Sequence, residues 1–146
     1  MTEKIYYEDP HISVFEAKVL SCTPAKEGFE VILDRTAFFP EEGGQCCDKG
    51  TLGGTDVLAV SIKNGVIKHT VALPFAEGST VSGRIDYALR FDNEQQHSGE
   101  HILSGLAHSL YGCTNVGFRL ARDYTTLDFD KPLTASELAE LERLAN

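Results

Sequence analysis

Apolar and polar positions alternate with period two through much of residues 1–91. In segment 28–35 (GFEVILDR), Phe29, Val31 and Leu33 recur at every second position. Successive strand side chains point to opposite faces, so this is the pattern of a half-buried strand. Segment 11–21 (HISVFEAKVLS) is rich in the β-branched and aromatic residues that suit a pleated surface. Segments 55–63 and 66–73 flank Asn64-Gly65. That dipeptide accepts positive φ at both central turn positions and predicts a tight hairpin. Segment 79–86 (STVSGRID) adds a further short strand. Short strands separated by Gly- and Pro-bearing turns predict a small β-barrel.

The period changes between Asp86 and Asp92. Residues 92–111 follow the 3.6-residue repeat of a helix, with Asp92 as N-cap and Gly112 as the residue that ends it. Segments 115–120 and 125–129 read as two strands joined through Ala121-Arg122-Asp123-Tyr124. A last helix starts at Thr134, which stands in capping-box spacing to Glu137, and continues to Asn146. The expected class is α+β, with a barrel subdomain over residues 1–91 and the start of an α+β domain over 92–146.

Composition narrows the function classes. Hydrophobic residues make up 42 %, which is too many for a disordered chain. No stretch approaches the roughly 18 apolar residues of a membrane span, and Met1-Thr2-Glu3-Lys4 opens no signal peptide. A cytoplasmic location follows as the expectation, with no membrane partner. In a reducing compartment Cys22, Cys46, Cys47 and Cys113 read as buried apolar residues or metal ligands before disulfides. Residues 1–91 carry 9 basic and 13 acidic side chains, and residues 92–146 carry 4 and 9, giving the formal net charge of −9. Lys and Arg supply most non-specific affinity for nucleic acid. This balance speaks against a general nucleic-acid binder; contact with RNA is then local, or a further part of the protein supplies the charge.

Two segments stand out chemically. Residues 36–50 (TAFFPEEGGQCCDKG) form a Gly-rich loop with two exposed-looking phenylalanines, long enough to be functional. The predicted helix carries Gln96-His97-Ser98-Gly99-Glu100-His101. At about 100° per residue, His101 and His108 lie within about 40° of His97, whereas Ile102, Leu103, Leu106 and Leu110 fall between about 140° and 240°. The leucine side is expected to pack on the core and the histidines to face elsewhere. His97 and His101, at i and i+4, are close enough to hold one zinc ion; His108 lies about 10 Å further along the axis than His101. A solvent-exposed histidine pair satisfies the same pattern. Gly99 inside the helix costs roughly 1 kcal/mol against Ala, so a close approach at that position is expected. Glu100 completes H-x-x-E-H, the order of an inverted-motif zinc peptidase in which Glu is the general base.

Taken together, Leu33 to Leu52 (LDRTAFFPEEGGQCCDKGTL) and Gln95 to Ser104 (QQHSGEHILS) resemble the glycine-rich and HxxxH motifs of the alanyl-tRNA synthetase editing domain and of the free-standing AlaX proteins. Asn115-Val116-Gly117-Phe118 and Thr126-Leu127-Asp128-Phe129 fit the same layout. The resemblance implies an elongation-factor-like β-barrel followed by the α+β editing domain common to threonyl- and alanyl-tRNA synthetases. It implies hydrolysis of the ester in tRNA(Ala) mischarged with serine or glycine, with the tRNA acceptor end as partner and zinc as cofactor. His97 and His101 are then the zinc ligands. Thr36 reads the amino-acid hydroxyl, and Gly43-Gly44-Gln45 lines the pocket mouth. The candidate catalytic set is Thr36, Gln45 and Glu100; the candidate substrate contacts are Phe39, Gly43, Gly44 and Gly117.

The family's remaining zinc ligands come from a Cys-x-x-x-His segment that this sequence lacks. The expectation is therefore the N-terminal part of a longer editing protein, with a half-built metal site; Cys46-Cys47 on the loop are inert in the favoured reading and substitute ligands in the alternative. A zinc peptidase and a non-catalytic module that binds the tRNA acceptor end are the alternatives from other classes.

Overall fold

A computed structural model of the chain describes residues 1–121 and 123–146. The chain divides into two compact units, Met1–Phe91 and Asp92–Asn146.

The first unit is built on strands β2 (Val14–Pro24), β3 (Phe29–Leu33), β5 (Gly50–Leu52), β6 (Thr55–Lys63), β7 (Val66–Val71) and β8 (Thr80–Ile85). Each neighbouring pair is antiparallel, and the order β2-β3-β7-β6-β5-β8 returns to β2 through its pairing with β8, closing a barrel. Closure leaves no open sheet edge among these strands. Alternation does the sorting. In β2, Phe15, Ala17 and Val19 turn inward while Val14, Glu16 and Lys18 turn out; in β7, Ile67, His69 and Val71 turn inward. Phe15 pairs across the ladder with Gly83, and a Cβ there would lie 2.3 Å from the Phe15 ring. The glycine is a seat for the aromatic ring.

The predicted hairpin is present between β6 and β7, with Asn64 at φ 51° and Gly65 at φ 77°. A short parallel pair not visible in the hydrophobic pattern joins β1 (Glu3–Lys4) to β4 (Arg35–Thr36), and a 3-10 turn covers Ile5–Tyr7. Of the ring strands only β5 has no counterpart in the hydrophobic pattern, because three residues are too few to show a period.

The helix α1 runs Tyr87–Tyr111 and therefore begins before the expected Asp92. Asp86 is the residue that starts it: its carboxylate accepts from Leu89 N–H at 3.2 Å and its carbonyl accepts from Arg90 N–H at 3.1 Å. Gly112, at φ 64°, ends the helix as expected, its N–H donating to the His108 carbonyl at 2.9 Å.

In the second unit β9 (Asn115–Leu120) and β10 (Thr125–Phe129) form an antiparallel hairpin, and α2 spans Ala135–Ala145. Arg122, in the connection between the two strands, lies outside the described residues. Thr134 and Glu137 make both bonds of a capping box. Ala107, Cys113 and Leu141 are the buried centre, with Leu106, Tyr111, Phe129 and Leu133 packed around them. The expected apolar stripe is corrected here. Ile102 and Leu110 are exposed, and the buried positions of α1 in this unit are Glu100 and Ala107. A two-stranded hairpin covers only a narrow strip of a helix, so half of the leucine side is left uncovered. Among the described residues no helix is long and apolar enough to cross a membrane.

Candidate functional site

The residues singled out in the sequence fall in both units, and each unit holds its own set in a defined geometry.

In the first unit the Gly-rich loop is a hairpin within a hairpin. Glu42 and Gln45 exchange backbone bonds at 3.3 and 3.1 Å, and the turn between them is Gly43 (φ 62°) and Gly44 (φ 82°). Both central residues of such a turn need positive φ, which glycine adopts without strain. Outside it, Asp48 N–H donates to the Phe39 carbonyl at 3.0 Å, and Phe39 N–H donates to the Asp48 carboxylate at 2.6 Å. Glu41 N–H donates to the Val60 carbonyl on β6. The loop is thus bonded rather than loose, and Gln45 is buried within it.

The two phenylalanines are not exposed. Phe38 is fully buried, edge-on to Phe15 and His69, and Phe39 is half-buried, edge-on to Tyr6. The reason is Phe38's place in the barrel interior, next to the buried Ala37. Tyr6 is itself buried; its hydroxyl has no hydrogen-bond partner among the described residues, and burial holds its pKa well above the usual phenol range.

Thr36 is fully buried at the root of the loop. The polar chain it belongs to is complete. The His69 nitrogen Nδ1 faces the Val31 carbonyl at 3.1 Å, which only accepts, so Nδ1 carries the proton. In a neutral ring Nε2 is then an acceptor, and it receives the Thr36 hydroxyl at 2.8 Å. Thr36 Oγ1 in turn accepts from Phe38 N–H at 3.1 Å. Burial depresses the His69 pKa to about 4, with the Val31 bond opposing it, so the ring stays neutral.

A second buried group was not foreseen. Arg90, in the first turns of α1, forms a buried ion pair with Asp48, and its guanidinium also donates to the Ala37 and Pro10 carbonyls. It ties both ends of the loop to one helix. Nothing in the local sequence marks the pair, because its partners are far apart in the chain. His69 did leave a trace: it occupies the inward position of the alternation Ile67-His69-Val71.

In the second unit His97, Glu100 and His101 bring one possible ligand atom each to within 4.8 Å of one another. The two imidazole rings have centroids 4.9 Å apart at an interplanar angle of 18°. His97 also stacks on Phe118 of β9, with centroids 5.2 Å apart. His101 is exposed. His108 stands apart, with Nδ1 against the Cys113 carbonyl at 3.3 Å. The donor set suits zinc, since two imidazoles and a carboxylate stand within one helical turn. Glu100 is buried, unlike a base that must meet solvent or substrate, and its Oε1 accepts from both Ser104 and Asn115. Gly117 donates its N–H to Asn115 Oδ1 at 2.9 Å and lies under the Asp128 side chain, which a Cβ would meet at 2.7 Å.

Among the described residues the cluster groups His97, Glu100 and His101 and no cysteine; in the first unit Cys47 is buried in the barrel core and Cys46 is exposed. A Cβ at Gly99 would meet no described neighbouring atom within 4 Å. All four cysteines are free thiols.

The family model for class II (A) tRNA synthetases matches residues 2–89, and the chain belongs to that family. Within it the resemblance is of the AlaX-like editing kind. The chain is 38 % identical over 151 residues to the alanyl-tRNA editing protein AlaX-L of Pyrococcus horikoshii, covering 97 % of this chain and 37 % of that protein. It is 34 % identical over 152 residues to the alanyl-tRNA editing protein Aarsd1 of Bos taurus, covering 94 % and 34 %. With the alanine–tRNA ligase of Pyrococcus abyssi the identity is 39 % over 155 residues, covering 99 % of this chain and 16 % of the ligase. The chain thus spans about a third of the length of the editing proteins it matches.

Proposed function

We propose that this chain contributes to an aminoacyl-tRNA deacylase that removes serine or glycine wrongly attached to tRNA(Ala). The observation that carries the reading is the paired imidazoles of His97 and His101 on one helical turn, in a chain whose relatives are named for alanyl-tRNA editing. His97 and His101 would hold zinc. When bound, the metal supplies a Lewis acid for the ester carbonyl or a site for a water of lowered pKa.

The chain's own residues do the rest. Phe118 and Glu100 hold the two rings in place, so binding a metal costs little side-chain freedom. The Gly43-Gly44 turn exposes backbone that can approach a substrate closely, and Gln45 is fixed next to it. Thr36 reads a serine hydroxyl only by exchanging its bond to His69 for one to the substrate. Such an exchange favours substrates that carry a hydroxyl, because alanine offers no replacement partner. The acceptor end of tRNA is recognised locally, since the net charge of −9 gives no general attraction to phosphate.

Glu100 speaks against the peptidase reading, because its carboxylate is buried and bonded. The test is release of serine from Ser-tRNA(Ala) by the full-length zinc-loaded protein and its His97→Ala variant. Hydrolysis by the first, reduced at least 100-fold in the second, is expected. Equal rates would remove the metal from the reaction, and acceptor-stem binding without any release would leave a binding module.

A further inference from the structure

Glu100 offers a possible ligand atom beside His97 and His101, and its surroundings give it a second role. It sits inside a closed network. Glu100 Oε1 accepts from Ser104 Oγ at 2.6 Å and from Asn115 Nδ2 at 2.6 Å. Asn115 Nδ2 also donates to Ser104 Oγ at 2.9 Å, and Asn115 Oδ1 accepts from Gly117 N–H at 2.9 Å. One oxygen of the carboxylate is left. Glu100 Oε2 lies 3.4 Å from Nδ1 of His101, whose ring is otherwise exposed.

An ionised carboxylate accepts and cannot donate. The contact with His101 is electrostatic rather than a hydrogen bond, and a negative oxygen at 3.4 Å favours the tautomer that carries the proton on the ring nitrogen facing it. In a neutral imidazole this leaves the lone pair on Nε2. We infer that Glu100 is a positioning residue: it fixes His101 in the Nδ1–H tautomer and so presents Nε2 as the metal-binding atom. The inference rests on the zinc reading above for what Nε2 binds. It does not rest on it for the tautomer, which the carboxylate sets in the absence of metal. Outer-shell carboxylates that hold a ligand histidine in this way typically change metal affinity 10- to 100-fold when altered.

The network also says what a conservative change does. In Glu100→Gln the side chain keeps its size. Ser104 and Asn115 both donate to it, so they hold the amide oxygen on their side. The amide nitrogen then faces His101 Nδ1 and donates to it. Nδ1 becomes an acceptor, the proton moves to Nε2, and the metal face is blocked.

Two measurements on the full-length protein test this. The first is the tautomer of His101 from its imidazole 15N shifts, without metal and well above the imidazole pKa. The second is zinc affinity by competition with a chromophoric chelator. The expected result is Nδ1–H in the wild type and Nε2–H in Glu100→Gln, with zinc affinity lower by 10- to 100-fold and an unchanged circular dichroism spectrum. A wild-type His101 in the Nε2–H form overturns the inference, whether or not the variant folds. So does a variant whose tautomer and zinc affinity match the wild type. A tautomer switch in a protein that binds no zinc supports the positioning role and refutes the metal reading instead.

Discussion

Acidification should destabilise this protein through one residue of the barrel core. His69 is fully buried and its folded-state pKa is about 4, against about 6.5 in an unfolded chain. Above pH 6.5 the ring is neutral in both states and contributes no pH dependence. Between 6.5 and 4 the unfolded chain takes up a proton that the folded barrel refuses, so folding stability falls as pH falls. Below 4 both states are protonated and the slope ends. At about 1.36 kcal/mol for each pKa unit, the separation amounts to roughly 3 kcal/mol. That is a large share of the 5–15 kcal/mol that holds a typical domain together. Protonation would also turn Nε2 from an acceptor into a donor, and Thr36 would have to reverse its hydroxyl. The assay is urea unfolding between pH 7.5 and 4 for the wild type and for His69→Gln, which can hydrogen-bond but does not titrate. The difference between the two stability curves isolates the histidine from the carboxylates, which titrate in both proteins. The wild type should lose about 3 kcal/mol relative to the variant across that range. A difference that stays constant to within a few tenths of a kcal/mol refutes the reasoning, since His69 would then titrate alike folded and unfolded.

Two further outcomes follow from buried polar groups at the Gly-rich loop. Arg90→Met leaves the Asp48 carboxylate buried without its cation and should cost about 3–5 kcal/mol in urea unfolding; a loss under 1 kcal/mol would mean that water already reaches the pair. Thr36→Val removes the hydroxyl that His69 accepts and should lower serine-over-alanine discrimination in deacylation assays of the full-length protein by at least tenfold; unchanged discrimination would assign Thr36 to the core alone.

Elements whose cause is local were legible in the chain. The Asn64-Gly65 turn, the strands on either side of it, Gly112 at the end of α1 and the Thr134–Glu137 cap all depend on residues a few positions apart. So does the His97–His101 pair, because helical geometry alone puts i and i+4 on one face. The start of α1 was misplaced because two aspartates, Asp86 and Asp92, offer the same capping chemistry. Choosing between them required knowing that Arg90 had to reach Asp48 from within the helix.

What tertiary structure alone decided is which groups are inside. Phe38 and Phe39 read as loop residues until the barrel closed around the first and Tyr6 met the second. The leucine stripe of α1 named a plausible buried side, but in the second unit the buried positions of the helix are Glu100 and Ala107. Glu100, a candidate base by its spacing, is also a bonded group, because Asn115, on another element, supplies a partner. Spacing along a chain sets local geometry, since dihedral preferences and repeat lengths act over a few residues. Burial and hydrogen-bond pairing arise between segments distant in sequence, and only the packed chain brings those together.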